Sequence, residues 1–158
     1  MKKKDRELLF RDLSARLPYG VRVKIWLPDG TTEEGTLDLS TNYGDVLRDA
    51  FYGKKPYITD IKPYLRQLGT MTEAEIADGI RQVRKGKILY TERDGVVGWY
   101  TYYKGVYRYF DDFSWKLGEY GVRNIDWLLK HHFDFRELLI NGLALHAPEG
   151  MYDKEKKI

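Results

Sequence analysis

His132-Phe133-Asp134, followed by Glu137, sets an imidazole beside two carboxylates. These are the residue types of a general acid–base pair or a metal site. The spacing argues for another use. Zinc hydrolases place two histidines one helical turn apart, whereas His131 and His132 are adjacent and point in different directions on a helix. Asp134 and Glu137 stand at capping-box spacing, so Asp134 already has a structural task. No catalytic and no metal-binding residue is expected here, and a small hydrolase centred on His132 and Asp134 is the third reading of the chain. The other carboxylate pairs, Glu33-Glu34, Asp111-Asp112 and Glu73 with Glu75, sit in turns, on strands with opposite-facing neighbours, or at a helix start. No nucleophile elbow, P-loop or dinucleotide glycine pattern occurs, so no cofactor is expected.

Aromatic and basic side chains form two further constellations. Trp99, Tyr100, Tyr102, Tyr103, Tyr107, Tyr109 and Phe110 fall on both faces of two successive strands. One face must pack on a core, and cross-strand ring pairs contribute about 0.2–1 kcal/mol each. A chain this short cannot bury the other face as well. Tyrosine is rigid and amphipathic, which suits contact with a partner. Tyr100, Tyr102, Tyr107 and Tyr109, with Lys104 and Arg108 nearby, therefore form the candidate interaction surface. The same rings could stack the bases of single-stranded nucleic acid; Lys104 and Arg108 suit that use, while Glu92, Asp111 and Asp112 oppose it. Arg81, Arg84, Lys85 and Lys87 make a candidate basic patch. Cations at a helix C-terminus offset the helix dipole on a solvated face, and they can also meet a phosphate backbone.

Composition sets bounds on these readings. At 158 residues the chain predicts one domain, or two small lobes sharing a core. An apolar fraction of 42% and an aromatic fraction of 15% suffice for a core and argue against wholesale disorder. The absence of cysteine excludes disulfides and thiolate metal sites. The start of the chain lacks the apolar segment of a signal peptide, and no apolar run reaches membrane-spanning length. A cytoplasmic protein without a membrane partner is expected. The net charge of +3 permits nucleic-acid binding without arguing for it.

The elements that must position these side chains are legible in outline. Leu9, Leu13 and Leu17 recur every four residues beside Leu8, with charged residues on the remaining face, which predicts an amphipathic helix from about Lys4 to Arg16. Pro18 predicts an extended Leu17. Val21, Val23, Ile25 and Leu27 alternate with Arg22, Lys24 and Trp26, the period of a half-buried strand. Pro28-Asp29-Gly30 is a turn, leading to a strand over about Thr31 to Leu39. Further strands are expected near Asp45 to Phe51 and Tyr57 to Ile61, the whole forming a small meander or an SH3-like barrel. Pro63 to Arg66 reads as a helical turn or an extended linker. Thr72 and Glu75 form a capping box for a helix with Ile76, Ile80 and Val83 on one face, ended by Gly86. Asp94-Gly95 and Lys104-Gly105 then turn a three-strand hairpin sheet over Lys87 to Phe110. Asn124 is a candidate N-cap for a helix carrying Trp127, Leu128 and Leu129. A second short helix from Asp134 is expected to stop near Asn141, with Gly142 beyond it.

Three stretches also carry a resemblance. "DWLLKHHFDFRELLINGLALHAPEGMY" from Asp126, "ARLPYGVRV" over Ala15–Val23 and "IKPYLRQLGTMTEAE" over Ile61–Glu75 resemble a group of small hypothetical proteins from gut bacteria and their phages. The likeness covers both ends of the chain and is less distinctive from Lys85 to Gly121. It implies a setting in the bacterial cytoplasm or on a mobile element and supplies no catalytic residue.

The fold expected is α+β. An N-terminal helix and a small antiparallel meander or barrel occupy residues 1–68. A connecting helix and an aromatic hairpin sheet, closed by two short C-terminal helices, occupy residues 69–158. The expected core is Leu9, Leu13, Val21, Val23, Ile25, Leu37, Ile61, Ile76, Ile80, Trp127, Leu128, Phe133, Leu138 and Leu139. The leading functional reading is a non-enzymatic interaction module for a protein partner or a homo-oligomer; the alternative is a nucleic-acid-binding accessory protein.

Overall fold

The computed structural model describes residues 2–39, 60–110 and 122–153, without the side chains of 122–124. Among the described residues it has three α-helices, α1 (Lys3–Arg16), α2 (Glu73–Val83) and α3 (Val122–Lys130). Its strands are β1 (Val21–Trp26), β2 (Thr32–Leu37), β3 (Asp60–Gln67), β4 (Lys87–Arg93), β5 (Val96–Tyr103), β6 (Val106–Tyr109), β7 (Phe133–Asp134) and β8 (Leu145–His146). The chain is α+β, as its alternation of hydrophobic periods predicts. It divides into two compact units, one of Met1–Gln67 with His132–Ile158, the other Leu68–His131. The expected boundary at residue 68 lies beside this division. The C-terminal stretch from His132, expected with the second half, groups with the first instead.

In the first unit, the side-chain alternation of β1 does what period two requires: Val21, Val23 and Ile25 are buried and the residues between them are not. β1 pairs antiparallel with β2, from Val21 opposite Leu37 to Trp26 opposite Thr32. The connecting turn is held by the Asp29 carboxylate, which accepts from the Thr31 N–H at 2.9 Å and the Thr31 hydroxyl at 2.6 Å. On its other side β1 pairs with β3, Ile25 opposite Ile61. β3 does not stop at Pro63. The helical turn or linker expected over Pro63–Arg66 is strand, because distant chain satisfies its backbone. β7 and β8 both join β3 in parallel, Arg66 opposite Phe133 and Tyr64 opposite Leu145.

The sheet so formed runs β2-β1-β3-β7, with β8 also on β3. It is open among the described residues and closes no barrel there, the SH3-like barrel having been the alternative to the expected meander. The strand expected over Asp45 to Phe51 lies outside the described residues. Leu9, Leu13, Val21, Val23, Ile25, Leu37, Ile61 and Leu65 join Leu138, Leu143 and Ala144 in one core.

Two local expectations fail here. Leu17 is helical, at φ −52° and ψ −42°, despite the proline after it. Tyr19 N–H and Gly20 N–H both donate to the Arg16 carbonyl at 3.0 Å, closing the helix end around Pro18. The second C-terminal helix is also absent: residues 135–144 are bends and turns. Asp134 does cap, accepting from Leu138 N–H and Leu139 N–H at 3.0 Å each. Behind that cap, however, Glu137 turns to φ +60°, which no helix tolerates. Leu143 N–H then reaches the Leu138 carbonyl at 2.9 Å, and this tight loop brings Leu138, Leu143 and Ala144 into the core. Leu139, expected in that core, is only partly buried against it. Tyr152 anchors the end of the unit. Its hydroxyl donates to the Tyr64 carbonyl at 2.6 Å and accepts from Arg22 N–H at 3.1 Å.

The face of α1 expected to be solvated holds a buried ion pair. Asp12 and Arg16 are both 0% exposed. The Arg16 guanidinium donates to both Asp12 oxygens, at 2.7 and 3.1 Å, and to the Phe133 carbonyl at 2.8 Å. Arg136 adds a second bond to Asp12 at 2.9 Å.

In the second unit, a 3₁₀ turn (Leu68–Thr70) precedes α2. The Thr72–Glu75 capping box forms in full: Glu75 N–H donates to the Thr72 hydroxyl at 3.2 Å and Thr72 N–H to the Glu75 carboxylate at 3.1 Å. α2 buries Ile80 and leaves Ile76 half-buried. α3 begins at Val122, so Asn124 lies inside it and is not its N-cap. Trp127, Leu128 and Leu129 are buried, and the Trp127 indole N–H donates to Asp78 of α2 at 2.9 Å. β4, β5 and β6 form a separate antiparallel meander. Gly86, at φ +106°, lets the chain pass so close to β5 that a Cβ there would lie 2.3 Å from the Tyr102 carbonyl oxygen.

Replacing Asp12 by Ala strands Arg16 as an uncompensated buried cation. That change is expected to lower stability by about 3–5 kcal/mol. The double change Asp12→Leu with Arg16→Met removes both charges and is expected to recover most of the loss. Urea unfolding of the two variants checks this; a single variant no less stable than the double would refute it.

Candidate functional site

Register decides which side chains of the three-stranded sheet can act together, because residues directly opposite share a face. Lys87 faces Tyr102, which faces Tyr107; Leu89 faces Tyr100, which faces Tyr109; Arg93 faces Val96. These make one face. Ile88, Thr101 and Arg108 line up on the other, together with Tyr90 and Trp99, and Tyr103 and Val106. The turns that fix this register are tight. Asp94 and Gly95 have φ of 53° and 84°, and Lys104 and Gly105 have φ of 49° and 81°, the two positive values of a type I′ hairpin turn.

The first face is a ladder of rings. Tyr102 and Tyr107 stand 4.7 Å apart at 47°, and Tyr100 and Tyr109 5.3 Å apart at 55°. The Arg93 guanidinium lies 3.7 Å from the Tyr107 ring centroid, a cation–π contact. Tyr109 lies over Gly98, where an added Cβ would come within 2.6 Å of its ring. Tyr100 is buried beneath this layer, and its hydroxyl donates to the Val96 carbonyl at 2.8 Å. Burial raises its phenol pKa above the ordinary tyrosine value, with Tyr109, Glu92 and Asp94 adding to the rise. Tyr102, Tyr107 and Tyr109 are exposed at 39%, 37% and 45%.

The second face holds a groove of about 590 Å³. Thr101, Tyr103 and Val106 line it from β5 and β6. Val83, at the end of α2, and Arg84 and Lys85 just beyond it line it as well. Lys104 and Arg108 complete it, so four cationic residues line it and no described carboxylate does. Arg84 is fixed in place: its guanidinium donates to the Tyr109 carbonyl at 3.0 Å and the Arg108 carbonyl at 3.3 Å, and lies 4.9 Å from the Phe110 ring centroid.

The structure thus divides the residues singled out in the sequence differently. Tyr100, Tyr102, Tyr107 and Tyr109 share a face, with Tyr100 beneath it rather than on it. Arg108 belongs to the opposite face, and Lys104 to the turn between β5 and β6. Arg84 and Lys85 of the basic patch join them in the groove. Lys87 lies on the tyrosine face beside Tyr102, and exposed Arg81 is 3.7 Å from Asp78. Glu92 sits near the end of β4, beside the turn into β5, where its carboxylate accepts from Gly95 N–H; Asp111 and Asp112 lie outside the described residues. Sequence reasoning left out Arg93 and Val106, and named Tyr103 among the aromatic residues without placing it in either candidate site. Strand parity counted from the two turns could have placed all three.

His131 and His132 fall in different units. The His131 ring lies 4.5 Å from that of Trp127. His132, at φ 65° and 1% exposed, stacks 3.7 Å from Tyr152. Asp134 spends both oxygens on backbone N–H groups. Among the described residues no group of three or more His, Cys, Asp or Glu could hold a metal ion, and no helix is long and apolar enough to cross a membrane. No protein-family model matches the chain, and neither a curated protein nor a solved structure does.

Gly98→Ala is expected to push Tyr109 off β5, with a loss of about 0.5–1.5 kcal/mol from the broken ring pair. Tyr100, uncovered, then loses the burial that raises its pKa and ionises at lower pH. An ultraviolet alkaline titration should show one late-titrating tyrosine fewer than in the parent. An unchanged titration curve would show that Tyr109 does not cover Tyr100.

Proposed function

We propose that the protein is a non-enzymatic interaction module that engages a protein partner, or a second copy of itself, through the tyrosine face of its three-stranded sheet. One observation carries the reading. Of the ten exposed large hydrophobic residues among those described, eight lie on β4–β6, and four of these, Val96, Tyr102, Tyr107 and Tyr109, stand together on the tyrosine face. Contiguous apolar surface of this kind marks interaction sites. The rings are also held in position beforehand, by Gly98 under Tyr109 and by Arg93 on Tyr107. Preorganised side chains lose less freedom on binding than mobile ones. The bacterial cytoplasm is the proposed setting, on the strength of the resemblance in the three quoted stretches.

The double variant Tyr102→Ser with Tyr107→Ser leaves Tyr100 and Gly98 in place and is expected to fold. Loss of two central rings should weaken association about 30-fold, the equivalent of a hot-spot loss of roughly 2 kcal/mol. Light scattering over a range of concentrations reads self-association, and affinity capture with parent and variant side by side reads a second protein. A parent that stays monomeric, and captures the same proteins as the variant, defeats the proposal.

A further inference from the structure

We infer that the groove between the end of α2 and the outer face of β5 and β6 is a binding site for single-stranded nucleic acid. The inference stands apart from the tyrosine face, which lies on the other side of the same strands. Its basis is the chemistry of the lining. Arg84, Lys85, Lys104 and Arg108 converge on one cleft with no described carboxylate among them. Cations gathered around one groove raise a positive potential that an anion relieves. The groove also offers a π-face: Tyr103 is 44% exposed, and the Lys104 ammonium lies 5.3 Å from its ring centroid. A phosphodiester strand uses both features, its base on the ring and its phosphates on the cations. An acidic peptide uses only the charge. In a duplex the bases are already stacked, so Tyr103 favours a single strand. The volume lies within the range of about 300–1,000 Å³ typical of small-ligand clefts, so the groove takes a nucleotide-sized piece of a longer strand.

Backbone conformation gives independent support. Lys104 has φ 49° at the first central position of a type I′ turn, where Asn, Asp or Gly is preferred. Lysine there goes against the local preference and adds a cation to the groove.

The test uses fluorescence anisotropy on the full chain. Its probes are a labelled oligothymidylate, a duplex of mixed sequence and a poly-glutamate peptide. Oligothymidylate is expected to bind most tightly, with log affinity falling against log salt at a slope of about −3, from four contacts at roughly −0.7 each. Lys104→Asn suits the turn and should fold at least as well as the parent; it is expected to weaken binding and flatten the slope by about 0.7. Tyr103→Leu is expected to weaken binding about tenfold with the slope unchanged. Tyr102→Ser with Tyr107→Ser should leave binding intact. Four outcomes overturn the inference: no salt-sensitive binding, the peptide or duplex binding as tightly as the single strand, an unchanged slope in Lys104→Asn, or loss of binding in the tyrosine-face variant. Failure of self-association or protein capture bears only on the tyrosine face and leaves these readouts untouched.

Discussion

A guanidinium with no access to water must find oxygen partners inside the protein. Arg16 finds them in Asp12, one helical turn back, and in the carbonyl of Phe133, 117 residues away. The Coulomb gain of such a pair is largely offset by the cost of drying both charges. Its main effect is therefore on specificity. Any arrangement that leaves the returning chain elsewhere takes the Phe133 carbonyl from Arg16 and strands part of a buried charge. Arg136 makes the same demand from the return segment, through its bond to Asp12. The first unit can thus admit the whole of Leu68–His131 between Gln67 and His132 and still close. β3 receives the returning backbone in two parallel steps, while Arg16 and Asp12 fix where it arrives.

In the second unit the governing constraint is parity. Two two-residue turns pin the register of three strands, and register assigns every side chain to a face. A slip of one residue would exchange the two sets. The faces have accordingly become chemically distinct. One carries ring upon ring, with Gly98 leaving room for Tyr109 and Arg93 laid against Tyr107. The other carries Arg108 and Thr101, with the end of α2 alongside. Because side chains alternate between the faces, each face can be altered without touching the other, and the glycine that admits Tyr109 acts on the tyrosine face alone.

What could be read from the sequence follows the range of the forces involved. The capping box at Thr72, the Asp94-Gly95 and Lys104-Gly105 turns and the alternation of β1 rest on neighbours within a few residues, and each was legible. Asp12 and Arg16 were not, because a charged pair at helical spacing looks the same whether solvated or buried; only the distant Phe133 carbonyl distinguishes the cases. β3 hid behind Pro63 for the same reason, its partners lying beyond the inserted unit. At Asp134 the cap was legible and the helix behind it was not, since Glu137 adopts a positive φ that its own chemistry does not favour. The tyrosine face could be assembled by counting alternate residues. The groove could not, because Lys85 and Arg108 meet only once α2 and the sheet are packed.

Lys104 shows how such a site can be recognised without its tertiary partners. A sequence specifies its fold most sharply where local preference and global structure agree, and conflicts between them concentrate at sites used for something else. The Asp94-Gly95 turn obeys its local preference. The Lys104-Gly105 turn has the same backbone and does not. A long flexible cation gains nothing from the αL region, where a short side chain that bonds to its own backbone does better. What lysine adds there is charge at the rim of a cleft that Arg84, Lys85 and Arg108 already make positive. Like charges drawn together oppose the empty state, so the turn residue and the cleft bear the same kind of cost, and one anionic occupant would relieve it.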